Sequence, residues 1–275
     1  RALDLAVEYA ETAWLNLKKG NLMNDNEGNS LPHYNYKDST LNLYSNVTKM
    51  IASSNNNWLN FMNHGYYPPY SFLDNKLVLK NAASLYLNTL QDIDTSGKKL
   101  LDIGCGRGGG VEVYKKYLKF KSIDACDLTP VSIDYCKSTQ PDINFKVCNA
   151  ESLDYEDCTF DIVTNVESSH CYSDLNSFYK EVHRVLKPSG IFCYADVFDN
   201  HNKERKYALY DSNYFSKIET RDITKNVLDA CDDFLNNSLH NFNNPLKDFY
   251  QEQISKQAYY YRNKITSFKV SICYI

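Results

Sequence analysis

The chain has 275 residues, 43% of them hydrophobic, and a net charge of −4, enough apolar material for one large α/β unit with a helical addition and no internal repeat. Acidic and basic residues are mixed along its length, which leaves no electrostatic footprint for nucleic acid, and no apolar run approaches the roughly 20 residues that span a bilayer. The nine cysteines are scattered without a C-x-x-C pair, which argues against a disulfide framework or a zinc site and for reduced thiols in a cytoplasmic protein with no metal. No secretory pattern opens the chain, and its start at Arg1 leaves a removed leader open. Nothing sets the oligomeric state.

In chain order, Ala2, Leu5, Ala6, Tyr9, Ala10, Ala13, Trp14 and Leu17 share one helical face that stops at Gly20. Residues 21–36 are polar, contain Gly28 and Pro32, and read as a linker or lid hinge. Helical patterns resume over 41–62 and 73–90, separated by the turn that runs from Gly65 to Pro69. Residues 1–93 therefore read as N-terminal helices and lid, and 94–275 as the ligand-binding core.

The core opens with Leu100-Leu101-Asp102-Ile103-Gly104-Cys105-Gly106-Arg107-Gly108-Gly109-Gly110, followed by helical periodicity from Val111 to Leu118. This is strand, tight turn and helix N-terminus, with glycine where a ligand approaches bare backbone. Gly104, Gly106 and Gly109 fit the G-x-G-x-x-G dinucleotide pattern. Asp102, Gly104, Gly106 and Gly108 equally fit the acidic-x-G-x-G-x-G pattern used for S-adenosylmethionine (SAM), and spacing does not choose. A pyrophosphate favours the helix N-terminus without a nearby anion, whereas the ammonium of SAM favours a carboxylate, which Asp102 supplies. The Arg107 side chain is expected to point to solvent.

Ser122-Ile123-Asp124-Ala125-Cys126-Asp127 reads as a second strand whose terminal Asp127, about 20 residues beyond the loop, is placed to accept ribose hydroxyls. Thr129 is expected to cap the following helix, with Pro130 at its first position. A third strand leaves through Asn149-Ala150-Glu151, where an asparagine can donate and accept at an adenine edge.

Phe160-Asp161-Ile162-Val163-Thr164 then leads into Asn165-Val166-Glu167-Ser168-Ser169-His170-Cys171-Tyr172. With Glu181-Val182-His183-Arg184-Val185-Leu186-Lys187-Pro188-Ser189-Gly190, Tyr194-Ala195-Asp196 and Asn63-His64-Gly65-Tyr66-Tyr67, this segment resembles the phthiotriolone and rifamycin type of natural-product O-methyltransferase. The resemblance covers residues 59–196 and resumes at 222–228.

It implies a doubly wound, Rossmann-like seven-stranded sheet, an N-terminal helical lid, a helical insertion around 207–261, and an antiparallel last strand over 264–275. It also implies SAM as cofactor and a hydrophobic small-molecule acceptor of polyketide, fatty-acyl or terpenoid kind. Cofactor contacts are expected from Asp102, Gly104, Gly106, Gly108, Asp127, Asn149, Ala150, Glu151, Asn165 and Tyr66. His170, after the fourth strand, is the expected general base, and Glu167 would orient it or accept its proton. His64 is a second candidate. O-methylation leads, with C-methylation, an NAD(P)-dependent oxidoreductase and a non-catalytic SAM-binding module as alternatives.

Overall fold

The computed structural model describes residues 36–53, 60–74, 77, 79–199, 208–241 and 266–275, with 247, 251, 254, 255, 258 and 262 between them. The helix and linker expected over 1–35 lie outside the described residues.

Among the described residues two helices precede the sheet, α1 (Tyr36–Ser53) and α2 (Lys80–Thr89). Five strands then run parallel: β1 (Lys99–Ile103), β2 (Ser122–Asp127), β3 (Asn144–Val147), β4 (Phe160–Val166) and β5 (Leu186–Asp199). The crossovers carry α3 (Gly109–Tyr117), α4 (Pro130–Thr139) and α5 (Leu175–Val185). β6 (Lys217–Asp222) and β7 (Thr266–Tyr274) complete a seven-stranded sheet in the order β3-β2-β1-β4-β5-β7-β6, with β7 antiparallel to both neighbours. Strand order reverses on either side of β1, so a crevice opens at the carboxyl ends of β1 and β4, where doubly wound sheets bind ligands.

The central strands are nearly continuous apolar runs because both faces of the sheet are covered. Successive side chains on a strand point to opposite faces. Leu100 and Ile162 join one core with Val111, Tyr114 and Val270, while Leu101 and Val163 join the other with Phe178, Val182 and Phe192.

Three expectations change here. Residues 217–222 fall inside the stretch read as helical, yet form β6. Its Lys-Ile-Glu-Thr-Arg-Asp composition is mostly exposed and has little period of its own, and its ladder with β7 decides the conformation. The helix expected over 41–62 starts earlier and ends at Ser53, which leaves Asn60 to Met62 non-helical over the glycine loop. The helix expected over 73–90 is confined to Lys80–Thr89. Residues before it turn on Leu73 N–H to Tyr70 O and Leu77 N–H to Asp74 O.

α5 is capped by Asp174, whose carboxylate accepts the Ser177 N–H. Near its other end, Arg184 ties the helix to the loop between β3 and β4. It donates to Leu153 O at 2.9 Å and Tyr155 O at 2.7 Å, and pairs with Glu181. Arg184→Met keeps the aliphatic stem but removes these donors. Urea unfolding should show a loss of roughly 1 to 3 kcal/mol, the cost of carbonyls left without partners; an unchanged midpoint would assign the stability of this loop elsewhere.

Candidate active site

The crevice at the strand ends spans about 940 Å³, open solvent at its mouth included. Gly104, Gly106, Asp127, Asn149, Ala150, Glu151 and Glu167 all line it, together with Asn60, Met62, Leu41 and Tyr44.

The glycine loop is shaped from both sides. Gly104 has φ +72° and its N–H bonds Cys126 O at 2.8 Å, which draws the loop onto the end of β2. A side chain there would overlap the Ser168 hydroxyl and come within 2.8 Å of the Tyr172 hydroxyl. Gly106, at φ +53°, presents backbone to the cleft under Met62. Gly108 does not face the cleft. It starts α3 and backs onto Gln140 and Cys136, so its bare Cα serves helix packing.

Asp127 stands at the tip of β2. Its Oδ2 accepts the Gly106 N–H at 2.9 Å and its Oδ1 accepts the Thr129 N–H at 2.8 Å. Burial raises its pKa, against the hydrogen bonds that favour its ionised form. A carboxylate offers about four lone-pair directions, so acceptor capacity remains for a hydroxyl pair. Thr129 sits at the N-cap of α4, but its side chain makes no cap bond; its own N–H goes to the Asp127 carboxylate.

Asp102 lies beneath the loop, 2% exposed, with Thr164 Oγ1 donating to it at 2.7 Å. Burial, with the Asp127 charge adding to it, pushes its pKa up to about 7. The folded protein therefore holds a proton that the unfolded chain has released. The stability this contributes is complete below about pH 4 and is lost as pH rises through the folded pKa. Asp102→Asn should flatten that decline in chemical denaturation between about pH 4 and 8. A variant that tracks wild type across the window would show that Asp102 ionises normally.

The other expected contacts have protein partners of their own. Asn165 is fully buried on β4, outside the cleft lining, and donates from Nδ2 to Ile103 O and to the Tyr172 hydroxyl, both at 2.9 Å. It braces β1 against β4. Glu151 accepts Ser173 N–H, Ser173 Oγ and Asp174 N–H on a single oxygen, which fastens the β3 exit to the start of α5. Asn149 Oδ1 accepts the Glu151 N–H, so the side chain also shapes its own turn. Tyr66 is outside the lining and packs on the core, its N–H on Asn81 O. Arg107 does not reach solvent. It is fully buried, donates to Thr48 O and lies 3.9 Å over the Tyr135 ring.

The expected pairing of Glu167 with His170 is not formed. Glu167 leaves β4 at φ +48°, which turns its carboxylate toward the 63–67 segment. There Oε2 lies 2.5 Å from His64 Nδ1 and also accepts the His64 N–H at 3.1 Å. His170 instead pairs with Asp196 of β5, Nδ1 to Oδ1 at 2.7 Å. Asp196, 2% exposed, also accepts Ser169 Oγ at 2.6 Å and the His170 N–H at 3.0 Å. Burial raises the Asp196 pKa, but the His170 charge and these bonds outweigh it and lower it. Burial likewise opposes a charge on His170, yet the Cys171 and Asp196 charges hold its pKa well above the usual histidine value. Two histidine–carboxylate pairs thus flank the end of β4. The sign of Asp196 in the sequence is an acid inside the apolar run Ile191 to Val197, since a buried carboxylate needs a partner.

Among the described residues no helix is long and apolar enough to cross a membrane, and no cluster of three or more metal-ligating side chains occurs.

Residues 101–194 match the methyltransferase domain family. Over 147 residues the chain is 36% identical to a phthiotriol/phenolphthiotriol dimycocerosates methyltransferase of Mycobacterium tuberculosis, covering 53% of this chain and 54% of that protein. It is 34% identical over 143 residues to a fatty-acid O-methyltransferase of Mycolicibacterium smegmatis, covering 50% and 52%. The chain thus spans about half the length of the curated relatives it matches. Its fold is similar to that of geranyl diphosphate C-methyltransferase from Streptomyces coelicolor A3(2), with a TM-score of 0.61 at 16% identity over 88% of this chain and 99% of that one. Domain match and sheet order together place a methyltransferase domain in this chain, and over about half its length the chain is similar to the phthiotriol dimycocerosates and fatty-acid O-methyltransferases.

Proposed function

We propose that the chain transfers a methyl group from SAM to an oxygen of a hydrophobic small molecule, with His170 as general base oriented by Asp196. The observation that carries this reading is the His170–Asp196 pair, whose histidine precedes Cys171 in the lining of a cleft of acidic character. The charged groups lining the cleft are Asp127, Glu151, Glu167 and Arg107, and the guanidinium of Arg107 is engaged by Thr48 and Tyr135. Three carboxylates suit a cofactor carrying an ammonium and a sulfonium; a dinucleotide pyrophosphate would meet net repulsion there.

The cofactor fits these residues. Asp127 would hold the ribose hydroxyls, the bare backbone of Gly104 and Gly106 would receive the methionine end, and Asn149 and Ala150 would border the adenine. Asp102 lies beneath the loop, where a bound cation would favour its ionised form. When bound, SAM supplies a methyl group already activated on sulfur. The protein's part is to hold an acceptor in line, exclude water and remove a proton. His170 donates Nδ1–H to Asp196, which leaves Nε2 as the basic nitrogen. Glu167, engaged by His64, positions the 63–67 segment as a lid and does not act on the acceptor.

The acceptor is proposed as a polyketide, fatty-acyl or terpenoid-like molecule. The names of the relatives and the apolar Leu41, Met62 and Tyr86 in the cleft support this. A cytoplasmic location is part of the same reading and is supported by nine free cysteines.

Thermal unfolding tests the cofactor directly. S-adenosylhomocysteine at about 100 times its Kd should stabilise the protein by about 2.7 kcal/mol, while NAD(P) should leave the melting temperature unchanged. Stabilisation by NAD(P) and not by S-adenosylhomocysteine would overturn the proposal. Mass spectrometry of cell extract incubated with the protein and methyl-labelled SAM should then reveal the acceptor as a species that gains one labelled methyl.

A further inference from the structure

The proposed methyl transfer leaves the cleft's thiols unused, and one of them, Cys171, stands beside the proposed base. Cys171 ends the 3-10 turn Ser169–Cys171, is partly exposed, and lines the cleft beside Leu41 and Tyr44. The Tyr44 hydroxyl lies 3.7 Å from its Sγ, and the preceding residue is His170. His170 is fixed in turn by Asp196 at 2.7 Å, and Asp196 is anchored by Ser169 Oγ and by the His170 and Val197 N–H groups. A thiol next to a base that a third group orients is the arrangement by which proteins generate nucleophilic thiolates.

We propose that Cys171 is a reactive thiolate and a covalent modification site for soft carbon electrophiles of the α,β-unsaturated carbonyl class, with His170 as proton donor. In this step Sγ forms a bond to the β-carbon and the carbon–carbon π pair moves toward the carbonyl. The proton on His170 Nε2 then passes to the α-carbon, so thiolate and imidazolium become thioether and neutral imidazole with no other reactant. The electrostatics agree with the geometry. Burial alone would raise the thiol, but the His170 charge and the hydrogen bonds from His170 and Tyr44 overcome it and lower the pKa of Cys171. Seven of the other cysteines are buried, and Cys158 is exposed, which provides a reference within the same molecule. The site stands whether or not methyl transfer is the activity, and an adduct there would occupy the cleft.

The test uses the full chain and substoichiometric N-ethylmaleimide at pH 6, 7 and 8, with labelling at each cysteine followed by peptide mass spectrometry. At pH 6, Cys171 should react at least about tenfold faster than Cys158. Its rate should also change little with pH, whereas an ordinary thiol with a pKa of about 8.5 gains about tenfold per unit. His170→Ala should remove the advantage and leave Cys158 unchanged; the wild-type pH slope decides the matter even if that variant does not fold. The proposal is overturned if Cys171 labels no faster than Cys158 at pH 6 or climbs about tenfold per unit. Earlier labelling of Cys148, which also lines the cleft, would overturn it as well.

Discussion

Replacing His170 by alanine should slow methyl transfer by about 10²- to 10⁴-fold and leave the affinity for S-adenosylhomocysteine nearly intact, because a general base acts on the acceptor and not on the sulfonium. Asp196→Asn should cost a comparable factor. The amide no longer stabilises the imidazolium formed when the proton is taken, and it need not hold Nδ1 as the donor at 2.7 Å. The pH profile carries its own sign. Only neutral imidazole accepts a proton, and the His170 pKa lies above the ordinary histidine range, so the wild-type rate should still be rising above neutral pH. It should fall as pH drops through that raised value, and the limb should vanish in His170→Ala. Single-turnover rates for His170→Ala within a few-fold of wild type would remove His170 from the reaction. Weight would then move to His64 on Glu167, or to methylation at carbon, which needs no strong base.

The second large effect concerns cofactor binding. Asp127→Ala should weaken S-adenosylhomocysteine by roughly 1.5 to 3 kcal/mol in calorimetry, the usual loss for a hydrogen bond to a charged group. The same carboxylate also accepts the Gly106 and Thr129 N–H groups, so the substitution loosens the loop as well as the ribose contact. Gly106→Val should do at least as much. Its Cβ would come within 2.6 Å of Met62 Cε at φ +53°, a conformation that costs a β-branched residue roughly 1 to 2 kcal/mol. Met62 has a flexible end and can shift, so loss of binding in a still-folded variant is the expected outcome. Unchanged affinity in both variants would reject the loop as the cofactor site.

Much of the architecture is legible in the order of residues because it depends on local chemistry. The apolar run into Asp102-Ile103-Gly104-Cys105-Gly106 marks a strand and a turn that only glycine makes easily, and Asp127 ends the next strand by the same logic. A strand at the chain end is equally visible in β-rich residues after a long insertion, and its antiparallel pairing is what the family resemblance implies. β6 is not visible. An edge strand reading Lys-Ile-Glu-Thr-Arg-Asp buries too little to impose a period, so its conformation comes from the β7 ladder.

The site divides along the same line. That a histidine and acids gather after β4 follows from Glu167-Ser168-Ser169-His170 standing at a strand end. Which acid serves which histidine does not follow, because sequence neighbours need not be spatial partners. Glu167 is three positions from His170, yet its backbone at φ +48° sends the carboxylate to His64, 103 residues earlier in the chain. His170 meets Asp196 because parallel pairing sets β4 beside β5, with Val166 opposite Ala195. Asn165, an expected cofactor contact, and Arg107, an expected solvent-facing cation, make the same point, since both are buried braces. Local propensity and spacing specify turns, strands and the types of group available; partnership between charged groups depends on register and burial, which exist only once the sheet has closed.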